Sequence, residues 1–412
     1  MTLVLSKKMD AFLGELSVPS NEIQSTIIER VKGMDFPTSR DEYWKYTRVG
    51  KIANGQFSNT TNTRKEIDAT SFLVSDNYII IENGNIRTDL SQVNADFVVT
   101  YKTATEIEHL VNIDQDNVFT ALNSGLYNQA ITIKIAANQV IEKPLQLVFI
   151  STGDSIMANN RILIQAGKSS EASIIISNVS DTANNCFNNT ITEVDVAENA
   201  HLTIHKIQNE SATNLSVSTE EIRQANNSTF KINTFTLTGL LVRNNINIAV
   251  AGENCESYMN GAIVSAGKQH VDNHTYVDHQ VPNCYSNENY KYVMDDYSTG
   301  VFNGRVIVQK DAQVINAYQK NGNILLSDNA SINSKPELEI YADDVKCSHG
   351  STTGQLDESA LFYLQTRGIS LANSRKLLVS AFIGKVISST ENEAVIDLIH
   401  KLLYTEYGWD FA

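Results

Sequence analysis

Apolar residues first recur at helical spacing, as Met9, Phe12, Leu13 and Leu16, then, behind a break at Pro19 to Asn21, as Ile23, Ile27, Ile28 and Val31. Helices are expected to dominate up to about residue 66. From about residue 71 to 353 the period shortens to two, as in Ile131, Ile133 and Ile135, in Leu145, Leu147 and Phe149, and in Val194, Val196, Leu202 and Ile204. Asn, Asp, Ser and Gly separate these runs, which is turn chemistry, so the middle of the chain reads as many short strands. Beyond residue 356 the helical pattern returns. Asp357 is placed to cap a helix through Leu361, Phe362 and Leu364 that stops at Gly368. Ser370 is placed to cap one carrying Leu377, Leu378, Ala381 and Phe382, and Thr390 with Glu393 forms a capping box for Val395, Leu398, Ile399 and Leu402.

One turn recurs inside the strand zone. An acidic residue or Asn precedes a small residue at Glu171-Ala172, Asn199-Ala200, Asn227-Ser228 and Asn254-Cys255, spaced 28, 28 and 27 residues apart. A period near 28 suits one coil of a β-solenoid, whose coils bury their apolar positions only against their neighbours. Asp311-Ala312 and Asn329-Ala330 break the period, which leaves the coil count open, and a β-sandwich is the competing architecture. The expected organisation is an N-terminal helical region over residues 1–66, a β-helix core over 67–355 and a C-terminal helical domain over 356–412. Three short helices hold little stability alone, so the last is expected to dock on the solenoid end, on a partner, or on both.

Composition narrows the function classes. A length of 412 residues suits a large elongated domain or two to three units. A formal net charge of -15, without any basic cluster, argues against nucleic acid and anionic membranes as partners. The opening MTLVLSKKMDAFLGEL is too short in its apolar run for a signal peptide, and the chain has no apolar stretch near membrane-spanning length, so a cytoplasmic protein is expected. Cys186, Cys255, Cys284 and Cys347 form no CxxC pair, so neither a disulfide framework nor a self-contained zinc site is expected. GxxxxGK[ST], GxSxG and HExxH are all missing from the sequence.

Two clusters remain. His270, Asp272 and His274, with Asp278 and His279 beyond, are the densest His/Asp run; on a strand the first three share one face, where they can hold a divalent metal or form a hydrogen-bonded ladder, and the ladder is the better reading. Asp343, Asp344, Cys347 and His349 crowd the end of the strand zone. Adjacent Asp343 and Asp344 point to opposite faces of a strand and cannot share a substrate, so they read as bounding a strand or pairing with Lys346. Cys347 and His349 share a face, either as a small buried hydrophobe beside a satisfied polar group or as ligands for one metal.

The stretch from residue 267 to 370 resembles the SufB/SufD family of the iron-sulfur cluster assembly complex, and its SufD branch in particular. The resemblance rests on HVDNHTYVDH at residues 270–279, NYKYVMDD at 289–296, FNGRVIV at 302–308, AYQKNGNILLSDNA at 317–330 and KPELEIYADDVKCSHGSTTGQLDESALFYLQTRGIS at 335–370; PTSRDEYWKYT at 37–47 resembles the family's opening signature. It implies a mainly-β fold, a right-handed parallel β-helix flanked by helical regions, in a non-enzymatic subunit that pairs with SufB through the solenoid end and with the ATP-binding-cassette subunit SufC through the C-terminal helices.

By resemblance, the imidazole at His349 faces a SufB cysteine across that interface, and Cys347 is the second candidate ligand for a transient iron-sulfur cluster; no cofactor is expected to be held stably by this chain alone. Where the essential SufB cysteine aligns, Asn321 stands here, and Gly350 replaces the Glu that follows the matching His in SufB. Asn321, His349, Gly350, Phe362 and Arg367 are the interface candidates. The alternatives are a solenoid enzyme acting on a polysaccharide or small metabolite, with Arg243 and Arg305 in its groove, and a homodimeric cluster scaffold. No dinucleotide fingerprint supports a flavin.

Overall fold

The computed structural model describes residues 6–17, 21–59, 67 and 69–409. Among them, strands alternate along the chain between a ten-stranded and a nine-stranded sheet, and each strand pairs with the next but one. Tyr285–Met294, for example, lies parallel between Glu256–Ser265 and Ile315–Leu325. The result is a parallel β-solenoid of about eight turns. Antiparallel pairing is confined to the start, where Tyr78–Glu82 meets Asn85–Ile86 and Val98–Lys102 meets Ala130–Ile135. The β-sandwich is thereby excluded, since its sheets are antiparallel.

Alternation along each strand builds the core. Ile131, Ile133, Ile135, Leu145, Leu147, Phe149, Val194, Val196, Leu202 and Ile204 all point inward into one continuous apolar column between the sheets. Each coil has two corners, and the repeating turn is one of them. At that corner Asn138, Ser169, Asn199, Asn227, Asn254, Asn283 and Val314 hold φ between 56° and 64°, the left-handed region that Asn tolerates best among residues with a side chain. The amide of Asn199 donates to Asn226 O at 2.9 Å, Asn227 N to Glu253 O at 2.8 Å and Asn283 N to Gln313 O at 2.9 Å, so the corners are stitched coil to coil. Two details of the expected repeat change: the member read as Glu171-Ala172 is Ser169-Ser170, and the period extends back to Asn138 and on through Asn283-Cys284. Asp311-Ala312 and Asn329-Ala330 broke the period because they belong to opposite corners of a coil.

In the N-terminal region Ser6 caps Lys7–Leu13 and Asn21 caps Glu22–Val31, the latter accepting from Gln24 N at 2.9 Å. Pro19, from the expected break, lies outside the described residues, as do residues 60–66 before the expected boundary. Met9, Phe12, Leu13, Leu16, Ile28 and Val31 are buried with Trp44, Phe119 and Phe187, whereas Ile23 is exposed and Gln24 takes the inward position, its Nε2 donating to Tyr127 O at 2.9 Å. A helix absent from the sequence reading, Val118–Leu126, is buried along its length. Its Asn123 Nδ2 donates to Asn160 O and Asn189 O at 2.9 and 2.8 Å, which pins the helix to the outside of the nine-stranded sheet.

The C-terminal helices are Glu358–Thr366, Leu371–Ser388 and Glu393–Tyr407. Asp357 and Ser370 cap the first two as expected, and Gly368 follows the first in a left-handed conformation. The third is capped by Asn392, which accepts from Val395 N at 3.1 Å; Thr390 instead donates to Ile387 O at the end of the preceding helix, so the capping-box expectation is corrected. The buried face of the middle helix is Val379, Ile383, Val386 and Ile387, while Leu377 and Ala381 are exposed. The apolar residues of that helix are interleaved with Arg375, Lys376, Ser380 and Lys385 rather than gathered in one stripe, so periodicity alone could not choose its face. With Val395, Ile399 and Leu403 it covers Ile175, Ile207, Phe235, Ala262, Val264 and Val293 on the outside of the ten-stranded sheet. The tail therefore docks on the solenoid flank rather than on its end.

Candidate functional site at the open end of the solenoid

The last coil is made of Ser331–Ile340 in one sheet and Val345–Gly354 in the other, and each pairs on one side only among the described strands. Both free edges therefore face the same end of the molecule, where unpaired backbone groups invite another chain. Register sets the side chains of the final strand. Cys347, His349, Ser351 and Thr353 lie directly over Ala317, Gln319, Asn321 and Asn323, whose side chains are buried between the sheets. Cys347 and His349 thus share the face that turns toward the solenoid interior, as their spacing predicts. Ser351 ties this strand down, its Oγ lying 3.2 Å from Asn321 Oδ1 and 2.7 Å from Ser334 Oγ across the mouth.

The two candidate ligands differ in environment. Cys347 is half-buried against the core, and burial pushes its thiol up from the usual range, partly offset by the backbone amide of Ala317. His349 is exposed. Gly350 points to the outside, where a Cβ would meet no atom within 4 Å. Asn321 is 3 % exposed and sits one coil beneath the edge, its Oδ1 accepting from Asn323 Nδ2 at 2.7 Å. Asp343 and Asp344 bound the strand at the preceding corner, where Val314 N donates to Asp344 O at 2.6 Å, and neither forms an ion pair with Lys346.

The His/Asp cluster is a different site on a different face. His270, Asp272 and His274 do share one face of the strand His270–His279, on the outside, while His279 points inward to Ser286 Oγ at 2.9 Å. Residues 37–47 lie across that outer face. Asp272 Oδ2 accepts from Arg243 Nη1 at 2.5 Å and from Thr47 Oγ1, His274 Nε2 lies 3.1 Å from Asp272 Oδ1, and His270 Nε2 lies 2.8 Å from Thr47 Oγ1. Burial alone would raise the Asp272 carboxyl, but Arg243 and then His274 outweigh it and hold it far below the usual carboxylate range. Trp44 stacks 4.3 Å from the Arg243 guanidinium, Arg305 Nη1 donates to Tyr43 Oη at 2.5 Å and Lys335 Nζ to Glu42 Oε1 at 2.6 Å. The cluster is a hydrogen-bonded clasp for the N-terminal segment. No group of three metal-ligating side chains occurs among the described residues.

A cleft of about 870 Å³ opens beside this clasp, lined by Tyr43, Trp44, Glu221, Asn247, His274 and Arg305 among others. Arg243 and Arg305, the groove candidates of the enzyme reading, are both engaged, Arg243 by Asp272 and Arg305 by Glu339 at 2.7 Å. Elsewhere, Phe362 is 70 % exposed on a helix that buries none of its residues, and Arg367 stacks 5.2 Å over Tyr363 beside it. Cys255 and Cys284, 29 residues apart, occupy equivalent corners of neighbouring coils and are buried free thiols. Sequence reasoning missed Glu288 and Gln319, which lie in the same register column as His349; only the register, which no local pattern reports, brings them together.

Comparison with known proteins gives a consistent picture. Residues 149–382, more than half of the chain, match the family model described as SUF system FeS cluster assembly, SufBD core domain. An iron-sulfur cluster assembly SufBD family protein of Synechocystis sp. is 29% identical, with 93% of this chain and 91% of that protein covered. The iron-sulfur cluster assembly protein SufD of Escherichia coli is 27% identical, with 87% and 86% covered, and the chloroplastic protein ABCI7 of Arabidopsis thaliana is 27% identical, with 92% and 85% covered.

Proposed function

The chain belongs to the SufBD family of the SUF system for iron-sulfur cluster assembly, and we propose that it serves there as a SufD-type, non-catalytic subunit in the cytoplasm. Its solenoid end pairs with SufB, its C-terminal helices bind the ATPase SufC, and an iron-sulfur cluster forms transiently at the SufB interface. The observation that carries this reading is the placement of Cys347 and His349 on the inward face of the last strand, at an end where both sheets stop with a free edge. A thiolate and an imidazole are competent iron ligands, and edge-to-edge strand pairing satisfies backbone groups that are otherwise an aggregation hazard.

Asn321 supports a divided site. Its amide is a poor iron ligand and is buried under the last coil, so this chain completes a site whose remaining thiolate comes from the partner. The helix Glu358–Thr366, with Phe362 and Arg367 exposed, leads from the last strand to the flank-docked helices and offers SufC a surface next to the site. Nucleotide-driven movement of SufC then acts on the solenoid end, to the extent that ATP favours one arrangement over the other. Co-purification with SufB and SufC counterparts, with iron and sulfide determined anaerobically, tests the reading; turnover of a small substrate by the isolated chain would favour the enzyme alternative.

A further inference from the structure

The two free edges at the mouth differ in their backbone donors. Along each strand the backbone groups alternate, one residue bonding to the coil below and the next facing outward along the edge. The amides of Ser331 and Tyr341 donate to Ser298 O and Val308 O at 3.1 and 2.9 Å, so the odd-numbered residues of Ser331–Ile340 point their amides at the coil below and the even-numbered ones face the edge. In the other sheet Tyr285 N donates to Cys255 O and Asn316 N to Cys284 O, at 2.9 and 3.0 Å. Lys346 stands over Asn316 in register, so in Val345–Gly354 the even-numbered residues bond downward and Val345, Cys347, His349, Ser351 and Thr353 face the edge.

Pro336 falls on an edge-facing position near the middle of Ser331–Ile340. It has no amide hydrogen, so the row of donors along that edge is broken at its centre. The same strand carries Lys335, Glu337 and Glu339 on its outer side, where Lys335 Nζ reaches Glu42 Oε1 at 2.6 Å and Glu337 Oε1 at 3.1 Å, and Arg305 Nη2 reaches Glu339 Oε1 at 2.7 Å. A proline and a run of charged residues are devices by which natural edge strands refuse further pairing. The edge of Val345–Gly354 has neither. It holds no proline, Lys346 is its one permanently charged residue, and Gly350 leaves its outer side open, with no atom within 4 Å of a Cβ placed there.

We propose that the two edges are not equivalent docking sites: a strand of the SufB-type partner adds to Val345–Gly354 and extends the ten-stranded sheet, while Pro336 keeps the edge of the nine-stranded sheet free of strand pairing. This inference rests on the reading of the mouth as a partner interface given above, and goes beyond it by assigning the pairing to one sheet. An open edge needs a row of backbone donors and acceptors, which an extended segment of another chain supplies. A second copy of this chain would bring another Asn321, a poor iron ligand, rather than the thiolate that a divided site requires. Cys347, His349 and Ser351 face the edge with their backbone and the interior with their side chains, since their register partners Ala317, Gln319 and Asn321 are buried between the sheets. The pairing that seats the partner strand, at about 4.8 Å, therefore also sets its distance from the Cys347/His349 site.

Two serines supply a matched test. Ser351 Oγ and Ser334 Oγ lie 2.7 Å apart across the mouth, and the amide of each faces its own free edge. Proline at either position deletes one edge donor, and alanine controls for the lost hydroxyl. The full chain is titrated against its purified SufB counterpart. Relative to Ser351→Ala, Ser351→Pro is expected to weaken binding about tenfold or more, whereas Ser334→Pro and Ser334→Ala bind alike within about twofold. No loss in Ser351→Pro, or a loss in Ser334→Pro as large as that in Ser351→Pro, overturns the proposal while leaving the partner reading intact. A wild-type chain that does not bind the SufB counterpart, or that dimerises through this edge in sedimentation instead, refutes that reading and the proposed occupant with it. Should Ser351→Pro fail to fold, judged by its midpoint in urea, Thr353→Pro is measured against Thr353→Ala and judged by the same standard.

Discussion

Arg243 and Asp272 form a buried ion pair on the outside of the solenoid, Nη1 to Oδ2 2.5 Å, with Trp44 stacked over the guanidinium and Thr47 bonded to the carboxylate. The pair joins two neighbouring coils, and the clasp around it anchors residues 37–47. Arg243→Met leaves the carboxylate buried without its cation and is expected to destabilise the protein by about 3–5 kcal/mol in urea unfolding at pH 7. Asp272 is held below its unfolded pKa, so its contribution is present at neutral pH and is lost as pH falls below the usual carboxylate range. The gap between wild type and Arg243→Met should therefore close in acid; a pH-independent gap would show that the ion pair is not its source.

Glu288 has the opposite sign. Its folded pKa is raised to about 7 by burial, so the folded state binds more protons than the unfolded one and stability declines as pH rises from about 4.5 to 7. Glu288→Gln removes this slope and is expected to be more stable than wild type at pH 8 by up to about 3 kcal/mol, with little difference at pH 4. Glu210, also raised to about 7, supplies a residual slope in the variant. Denaturant melts at several pH values check the difference.

Val314 occupies the corner position that Asn199, Asn227, Asn254 and Asn283 hold in earlier coils, at φ 60°. A β-branched residue is strained there, whereas Asn is tolerated. Val314→Asn is expected to stabilise the chain by about 1 kcal/mol or more, read as a higher midpoint in denaturant with an unchanged slope.

The C-terminal helices allow stability and the proposed partner binding to be tested separately. Ile383 is fully buried against the ten-stranded sheet, and Ile383→Ala is expected to cost about 2–5 kcal/mol. Phe362, 70 % exposed, contributes almost nothing to the isolated chain; Phe362→Ala should leave stability within about 0.5 kcal/mol while weakening capture of the ATPase subunit in a pull-down.

Much of this was legible in the residues. Alternation identified the strands, the Asn corners gave the coil period, and the spacing of Cys347 and His349 placed them on one face. What escaped had physical causes. The apolar run of Val118–Leu126 is too short for its period to tell helix from strand, and the apolar residues of the middle C-terminal helix are not gathered in one stripe that would declare its buried face. The His270, Asp272 and His274 ladder was visible, but its partner, the segment at residues 37–47, lies more than 200 residues away. Glu288 and Gln319 carry no local signal, because their meaning comes from stacking under His349, and stacking depends on the lengths of the intervening corners.

The function proposed for the solenoid mouth depends on His349 taking part in cluster assembly with a SufB-type partner. The most direct measurement is iron and acid-labile sulfide in the anaerobically purified complex of this chain with its SufB and SufC counterparts, wild type against His349→Ala. Intact assembly of both complexes, with cluster lost severalfold only in His349→Ala, is the predicted result; equal cluster content in the two would contradict the account and leave His349 a structural residue at a passive interface.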